Sequence, residues 1–229
     1  MDRGLPYDSD AGRSYAAVVT ALMHGEAYAQ SARVASAMGP FAGHAKNAEP
    51  MLRVVDKHRK HAHMIDSSLV PKELLQASLD VWDEAYALGA QHGYRNSQVT
   101  VLAPTGTIGF MMDCDTTGIE PDFSLVKFKK LVGGGSMQIV NLTIPRALRQ
   151  LGYTEETVEA IVEYIADKGH VVDAPGLKTE HYGVFDTAMG ARAISPMGHV
   201  RMMAAVQPFL SGAISKTVNL PETATVEEI

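Results

Sequence analysis

The sequence contains very little cysteine: Cys114 is the only one among 229 residues. A single thiol excludes an internal disulfide framework, a zinc site built on several cysteines, and redox chemistry that needs a dithiol within this chain. Charged residues are also sparse, at 20%, and the net charge of -6 offers no basic footprint for direct nucleic-acid binding. The N-terminal segment has no signal-peptide pattern, and no apolar run reaches the roughly 18 residues of a membrane span. We therefore expect a cytoplasmic protein with neither a membrane nor a nucleic acid as its partner.

The sequence has a globular composition, with 46% hydrophobic and 7% aromatic residues, which excludes extensive disorder. Apolar residues at three- and four-residue steps predict helices along most of the chain. The first predicted helix has a face of small residues, which favours close packing, and the third has an apolar surface wide enough for burial on two sides. The predicted helices are 12–37, 45–63, a helix opening at Pro71, 143–151, 155–168 and 197–210. The small-residue face of the first consists of Ala16, Val19, Met23, Ala27, Ser31 and Val34.

Strand signals are fewer than helix signals. Residues 98–103 are short and rich in β-branched side chains, which predicts a strand buried on both faces. Residues 123–131 and 137–141 flank Gly133-Gly134-Gly135 and predict a β-hairpin, whereas 214–220 predict a strand or an extended loop. Mixed helices and strands indicate the α/β class, but so few strands cannot close a barrel. We expect a partial architecture.

The most informative motif is the 104–108 turn, Pro-Thr-Gly-Thr-Ile, which follows the predicted strand directly. Such a turn can present backbone N–H groups and the hydroxyls of Thr105 and Thr107 to a phosphate, while Gly106 lets the backbone approach closely. No lysine follows, which excludes a Walker-type loop. An ordinary turn capped by hydroxyls explains the same residues, and spacing alone favours that interpretation.

The lone thiol lies in an acidic stretch shortly after this turn. Asp113 and Asp115 flank Cys114, and carboxylates beside a thiol disfavour its thiolate form. A catalytic role for Cys114 is therefore not favoured. Glu120, which precedes Pro121, is expected to be a fixed loop residue rather than a general base.

A group of histidines suggests a metal site at first. His58 and His61 share a helix face, but basic side chains lie between them and no carboxylate accompanies them. A solvated basic helix end is therefore favoured over a metal site. His181 and His199 stand alone in glycine-rich surroundings and are expected to have core or capping roles.

Six segments together resemble the large subunit of ribonucleotide reductases, most closely that of the cobalamin-dependent (class II) type. The resemblance is clearest in the 104–108 turn and in the Thr-Gly-Ile-Glu-Pro sequence of the 117–121 loop, and it extends over essentially the whole chain. The segments that carry it are 4–9, 25–28, 101–108, 117–121, 126–131 and 214–221.

The resemblance implies that residues 1–229 form a single, incomplete segment of the ten-stranded α/β barrel shared by these enzymes. In this family the Pro-Thr-Gly-Thr-Ile turn binds the phosphates of the ribonucleotide substrate, so the resemblance reverses the preference for an ordinary turn. It implies no catalytic residue and no metal ligand in this chain. The implied substrate-binding residues are Pro104, Thr105, Gly106, Thr107 and Ile108.

The resemblance also implies chemistry that this chain cannot complete alone. The family uses an Asn-x-Cys-x-Glu loop whose cysteine becomes a thiyl radical, adenosylcobalamin to initiate that radical, and a cysteine pair that supplies electrons. None of these cysteines is present, and Cys114 matches no catalytic position. We therefore expect an inactive fragment of a ribonucleoside-diphosphate reductase, an oxidoreductase that makes deoxyribonucleotides for DNA synthesis.

The expected partners follow from the same resemblance. They are the ribonucleotide substrate, the remainder of the reductase chain, a second copy in a homodimer, and a thiol reductant such as thioredoxin. The alternative is a free-standing, noncatalytic nucleotide-binding or partner-interaction protein derived from the same barrel. A partial barrel leaves sheet edges and apolar helix faces uncovered, which favours association in either case.

Overall fold

The structure is a computed structural model that describes residues 1–130, 134 and 136–228. Helices make up most of its regular structure. The α-helices are α1 (Asp10–Met38), α2 (His44–Ala62), α3 (Lys72–His92), α4 (Gly106–Met111), α5 (Thr143–Gln150), α6 (Glu155–Lys168) and α7 (Pro196–Val206). The strands are β1 (Val126–Lys130) and β2 (Ser136–Val140), and short 3-10 helices cover Thr179–Phe185, Gln207–Phe209 and Val226–Glu228.

The chain divides into two compact units, each with its own hydrophobic core. Unit 1 comprises Met1–Gly12, Pro104–Arg201 and Lys216–Ile229. Unit 2 comprises Arg13–Ala103 and Met202–Ser215. Among the described residues, no helix is long and apolar enough to cross a membrane.

The core of unit 2 forms where α1, α2 and α3 pack around Trp82, whose Nε1 donates to Ala21 O at 3.0 Å. As predicted, small residues bring α1 close to α3. A Cβ added at Gly25 would lie 2.7 Å from Val81 Cγ1. The predicted face is nevertheless wrong at Val19 and Met23, which are exposed, although Ser31 is buried as predicted. The buried stripe runs through Ala17, Ala21, Gly25, Tyr28, Ala29 and Ala32.

Helix α3 buries one face only. Its fully buried positions follow steps of three and four residues, while leucines such as Leu79 and Leu88 are half-buried at the margins of that stripe. The expected burial on two sides is therefore wrong. The helix also begins one residue later than predicted, because Pro71 has ψ of 132° and precedes the first helical residue. The buried residues are Ser78, Val81, Trp82, Ala85 and Gly89.

Residues 98–103 do not form the buried strand that their composition predicts. Among the described residues, Leu102 alone in this segment pairs, through a single parallel bridge with Ile214. The same bridge is the only described strand pairing of the 214–220 segment. Val101 is 57% exposed. A strand buried on both faces needs neighbours on both edges and a layer over each face, and the described residues supply one short neighbour.

Unit 1 contains the predicted hairpin. Strands β1 and β2 pair antiparallel, with Val126 opposite Val140. In the predicted glycine turn, Gly134 has φ of +100°, while Gly133 and Gly135 lie outside the described residues. This hairpin is the only sheet in the part of the chain that the structure describes, as expected for a helix-rich, partial α/β segment.

Helices α5 and α6 pack with the hairpin to form the core of unit 1, and both lie where the sequence predicts them. Thr154 caps α6 by accepting a hydrogen bond from Thr157 N at 3.4 Å, and Gly169 ends it with φ of +76°. Helix α7 and the following 3-10 turn match the predicted helix 197–210. The largest buried side chains of this core are Ile144, Leu148, Ile161, Ile165 and Phe185.

Candidate functional site

The 104–108 turn lies on the surface of unit 1, and each of its residues is exposed. Its last three residues begin helix α4, where the sequence predicts only a turn. Thr105 has φ of +48°, a conformation that is unfavourable for a β-branched residue. Its carbonyl accepts a hydrogen bond from Gly109 N at 2.7 Å. A Cβ added at Gly106 would meet no atom within 4 Å. The turn therefore combines a strained backbone with open space around its glycine.

The 117–121 loop holds the strained threonine from the other side. Gly118 N donates to Thr105 Oγ1 at 2.8 Å. Because the hydroxyl oxygen accepts this bond, the hydroxyl proton remains available for a ligand. Gly118 has φ of +55°, which favours glycine. The structure thus joins the two segments in which the family resemblance is clearest.

Two side chains and one backbone group of unit 1 anchor the 117–121 loop. Tyr7 Oη donates to Ile119 O at 2.8 Å, and Lys216 Nζ donates to Glu120 Oε2 at 2.6 Å. The backbone N–H of Thr217 donates to the other carboxylate oxygen of Glu120 at 2.7 Å. These contacts make Glu120 a fixed loop residue, as the sequence predicts. They also bring two more resemblance segments, 4–9 and 214–221, to the same place.

The electrostatics around this loop keep two aromatic groups in their neutral forms. Burial raises the pKa of Tyr7, and the charges of Glu120 and Asp8 raise it further, so its hydroxyl remains a donor. His199 is fully buried, with its ring centroid 6.2 Å from that of Tyr7. Burial lowers the pKa of His199, and the charge of Lys216 acts in the same direction. The buried position of His199 agrees with the expected core role.

A cavity of about 640 Å³ lies beside the 117–121 loop, and all of its lining residues belong to unit 1. The volume is within the roughly 300–1,000 Å³ typical of small-molecule sites. Phe123, which is largely exposed, contributes apolar surface. The 104–108 turn does not line this cavity and is connected to it through Gly118. Its polar lining includes Thr116, Thr117, Glu120, Asp122, Lys127 and Thr217.

Asp122 and Lys127 form a second ion pair at this cavity. Lys127 Nζ lies 3.4 Å from Asp122 Oδ1, and the side-chain amide of Asn141 donates to the other carboxylate oxygen. Burial raises the pKa of Asp122, whereas the charge of Lys127 opposes that shift. Motif reasoning singled out neither Asp122 nor Lys127, and it also missed Tyr7 and Lys216. The available signal was their position within or beside the resemblance segments.

Cys114 is exposed and free. Its backbone N–H donates to Gly109 O at 3.0 Å, and its Sγ lies 3.9 Å from Met112 O. Cys114 does not line the cavity beside the 117–121 loop. The absence of a catalytic role for Cys114 stays a prediction.

The solvated helix end that the charge pattern predicts is wrong for His58, whereas Lys60 and His63 are exposed. His58 is buried, stacks on Trp82 with 5.6 Å between ring centroids, and contacts Pro208 O through Nδ1. Its ring centroid lies 4.8 Å from that of His24. Burial lowers the pKa of both histidines, that of His24 to about 3. The prediction failed because this face of α2 packs in the core of unit 2.

No metal centre is visible in the described part of the chain, where no three potential metal ligands are grouped together. The two remaining candidate histidines, His61 and His181, each lie within hydrogen-bond distance of one protein oxygen. His61 Nδ1 lies 2.8 Å from Lys57 O, and His181 Nδ1 lies 2.6 Å from Tyr153 Oη.

Comparison with known families matches residues 1–229 to the family described as "Ribonucleotide reductase, barrel domain". The chain is 60% identical over 232 residues to the vitamin B12-dependent ribonucleotide reductase of Streptantibioticus cattleyicolor, covering 100% of this chain and 38% of that protein. The Rhodopirellula baltica protein of the same name is 51% identical over 233 residues, with 100% and 22% covered. A Mycobacterium tuberculosis protein named "Vitamin B12-dependent ribonucleoside-diphosphate reductase" is 43% identical over 135 residues, with 59% and 18% covered.

The chain therefore spans at most 38% of the length of these three relatives. The family match covers both units, and the helix-rich architecture with few described strands suits a segment of that barrel. The chain belongs to the ribonucleotide reductase family, and it corresponds to part of the barrel domain of the vitamin B12-dependent type.

Proposed function

We propose that this chain is the segment of a cobalamin-dependent ribonucleotide reductase that binds the substrate phosphates, in an enzyme that converts ribonucleotides to deoxyribonucleotides. The observation that carries the proposal is the strained and exposed turn at Thr105. Backbone strain of this kind costs on the order of 1–3 kcal/mol and is concentrated at functional sites. The substrate-binding residues are Pro104, Thr105, Gly106, Thr107 and Ile108.

Neutral donors hold the phosphate in this proposal. Lys216 already pairs with Glu120, and Lys127 with Asp122, so the lysines near the 117–121 loop are neutralised by protein carboxylates. The exposed turn offers backbone N–H groups and threonine hydroxyls, which suit the oxygens of a phosphate. A ribonucleoside diphosphate is the proposed substrate class, supported by the printed name of the Mycobacterium tuberculosis relative.

The names of the relatives support cobalamin as the cofactor of the intact enzyme. Adenosylcobalamin supplies radical initiation, and that chemistry must be passed to a thiol. The only thiol of this chain is exposed on a turn and lies beside two aspartates. These residues do not fit that role, so we assign no residue of this chain to the cofactor and derive no step through it.

The remaining parts of the proposal follow from the single cysteine of this chain, which cannot supply all the thiols that the reaction needs. The radical-bearing cysteine and the reducing pair come from the remainder of the reductase chain, and a thiol reductant such as thioredoxin renews them. The 229-residue chain is then inactive by itself, and all of it belongs to one barrel segment. The homodimer and the cytoplasmic location stay predictions.

Replacing Gly106 with valine in the full-length reductase tests the proposed turn. The added side chain has open space in the fold but blocks the approach of a phosphate to the backbone. We expect Gly106→Val to weaken ribonucleoside diphosphate binding about 10- to 100-fold, the scale of losing hydrogen bonds to a charged group. Affinity for the corresponding nucleoside should stay unchanged, as measured by equilibrium binding.

Gly43→Val is the matched control, because Gly43 lies in unit 2, has φ of -86° and would make only ordinary contacts through a Cβ. It should leave both affinities unchanged. A Gly106→Val enzyme that binds the diphosphate as tightly as the unmodified enzyme would refute the proposed role of the turn.

A further inference from the structure

The 117–121 loop connects the 104–108 turn to a buried ion pair. At one end, Gly118 N donates to Thr105 Oγ1 at 2.8 Å. At the other end, Glu120 receives Lys216 Nζ at 2.6 Å and Thr217 N at 2.7 Å, one on each carboxylate oxygen. Ile119, between them, accepts the Tyr7 hydroxyl at 2.8 Å. Three successive residues of one loop are therefore each fixed by a hydrogen bond to a different segment.

The ion pair is unusual because its lysine side chain is completely buried. The Lys216 side chain is 0% exposed, although lysine is almost never fully buried unless it is paired. Lys216 Nζ also donates to Thr217 O at 2.8 Å and lies 6.0 Å from the centroid of the Tyr7 ring. The ammonium group thus has a carboxylate, a carbonyl and an aromatic ring around it, so it is held in one place.

Thr105 is the residue that needs this support. Its φ of +48° is unfavourable for a β-branched side chain, and such a conformation persists only when its surroundings enforce it. The side-chain hydrogen bond that enforces it comes from Gly118, two residues before Glu120. Movement of the 117–121 loop would release that bond and let Thr105 relax.

We propose that Lys216 and Glu120 are positioning residues for substrate binding. Their ion pair fixes the 117–121 loop, and the loop keeps Thr105 in the conformation that meets the substrate phosphate. This inference rests on the phosphate-binding role proposed above for the 104–108 turn. Neither Lys216 nor Glu120 contacts the phosphate; both act through Gly118.

The test compares Glu120→Gln with Asp186→Asn in the full-length reductase. Both changes neutralise one partner of an ion pair in unit 1, and both carboxylate side chains are 24% exposed. Asp186 pairs with Arg192 and, among the described residues, forms no hydrogen bond with the 117–121 loop, so it serves as the matched control. The probes are a ribonucleoside diphosphate and its nucleoside, with affinity and KM measured for each.

Glu120→Gln is expected to weaken diphosphate binding about tenfold, the scale of a misplaced binding group, and to raise KM by a similar factor. Nucleoside affinity should not change, and Asp186→Asn should alter neither affinity. Tyr7→Phe removes only the hydrogen bond to Ile119 and keeps the ring, so it should show a smaller loss with the same selectivity. If Glu120→Gln does not fold, Tyr7→Phe replaces it as the test variant.

The outcomes separate this inference from the proposed function. If Gly106→Val weakens diphosphate binding while Glu120→Gln and Tyr7→Phe behave like Asp186→Asn, the positioning role is wrong and the phosphate turn stands. An equal loss of nucleoside and diphosphate affinity in Glu120→Gln also overturns the positioning role, because it indicates general damage. If Gly106→Val has no effect, the phosphate turn itself is wrong.

Discussion

At the scale of single residues, the 104–108 turn depends on the backbone of Thr105. Two hydrogen bonds hold this residue at φ of +48°, from Gly118 N to its hydroxyl and from Gly109 N to its carbonyl. A turn after residue 103 could be predicted from the sequence, because proline, glycine and threonine have known local preferences. Helix α4, which begins at Gly106, was not predicted. The strain could not be predicted, because the partner Gly118 is 13 positions away and its approach depends on the fold.

The buried histidines of unit 2 show a second limit of sequence reasoning at this scale. His58 lies among basic residues in the sequence, which predicts solvent exposure, yet it stacks on Trp82 in the core. A histidine is amphipathic enough to serve as a core ring when it is neutral. The charge pattern therefore predicts the polar side of α2 correctly and fails for His58, which lies at the edge of that side.

His24 makes the stability of unit 2 dependent on pH. In the unfolded chain its pKa is the ordinary 6.5, whereas burial, with a smaller effect from His58, lowers its pKa in the fold to about 3. Between these values the unfolded state binds more protons, so folding stability is full above pH 6.5 and is lost as the pH falls toward 3. The loss approaches about 1.4 kcal/mol per pH unit. His58, whose pKa is also lowered, acts in the same direction.

Urea unfolding at pH 7 and pH 5 measures this effect, with fluorescence of Trp82 as the signal because it is the only tryptophan. His24 Nδ1 lies 2.6 Å from Thr100 Oγ1. His24→Gln should reduce the pH dependence, since glutamine offers a polar group to Thr100 and does not titrate. His63→Gln, at an exposed position, is the control and should keep the full dependence. Equal pH dependence in all three proteins would contradict the assigned role of His24.

At the scale of elements, six of the seven described α-helices lie where the sequence predicts them, but the predicted buried faces of α1 and α3 are wrong. Hydrophobicity ranks Val19 and Met23 above alanine, so the predicted face of α1 follows them. Close packing of α1 against α3 instead selects the smallest side chains, as at Ala21 and Gly25. The predicted strand at 98–103 failed for a related reason, because strand formation depends on neighbours that a local pattern does not reveal.

Gly25→Ala tests the close contact between α1 and α3. The added Cβ would lie 2.7 Å from Val81 Cγ1 and 3.2 Å from the Trp82 ring, so either the Val81 side chain or the helices must shift. We expect a loss of about 1–3 kcal/mol in the free energy of urea unfolding, as for overpacked cores. Gly43→Ala, whose Cβ would make ordinary contacts, should change it by less than about 0.5 kcal/mol. Similar values for the two variants would show that the contact can relax.

At the scale of the whole molecule, the family resemblance carried information that periodicity did not. Helix and strand patterns predicted a partial α/β architecture, and the match of residues 1–229 to the reductase barrel domain confirms the resemblance. The grouping of the motifs became visible only in the fold, where the 117–121 loop of unit 1 contacts three other resemblance segments. Several large apolar side chains close to these segments in the sequence are exposed. Uncovered apolar faces are what we expect of a partial barrel. The exposed side chains include Ile108, Met111, Met112 and Phe123.

Hydrogen–deuterium exchange of the full-length reductase tests most directly whether the 104–108 turn binds the substrate phosphate through its backbone. The turn is exposed in the fold, so its amides should exchange rapidly in the free enzyme. With saturating ribonucleoside diphosphate, we predict slower exchange at Gly106, Thr107 and Ile108, and no such slowing with the nucleoside. Unchanged exchange at these amides, with the diphosphate bound, would contradict the account.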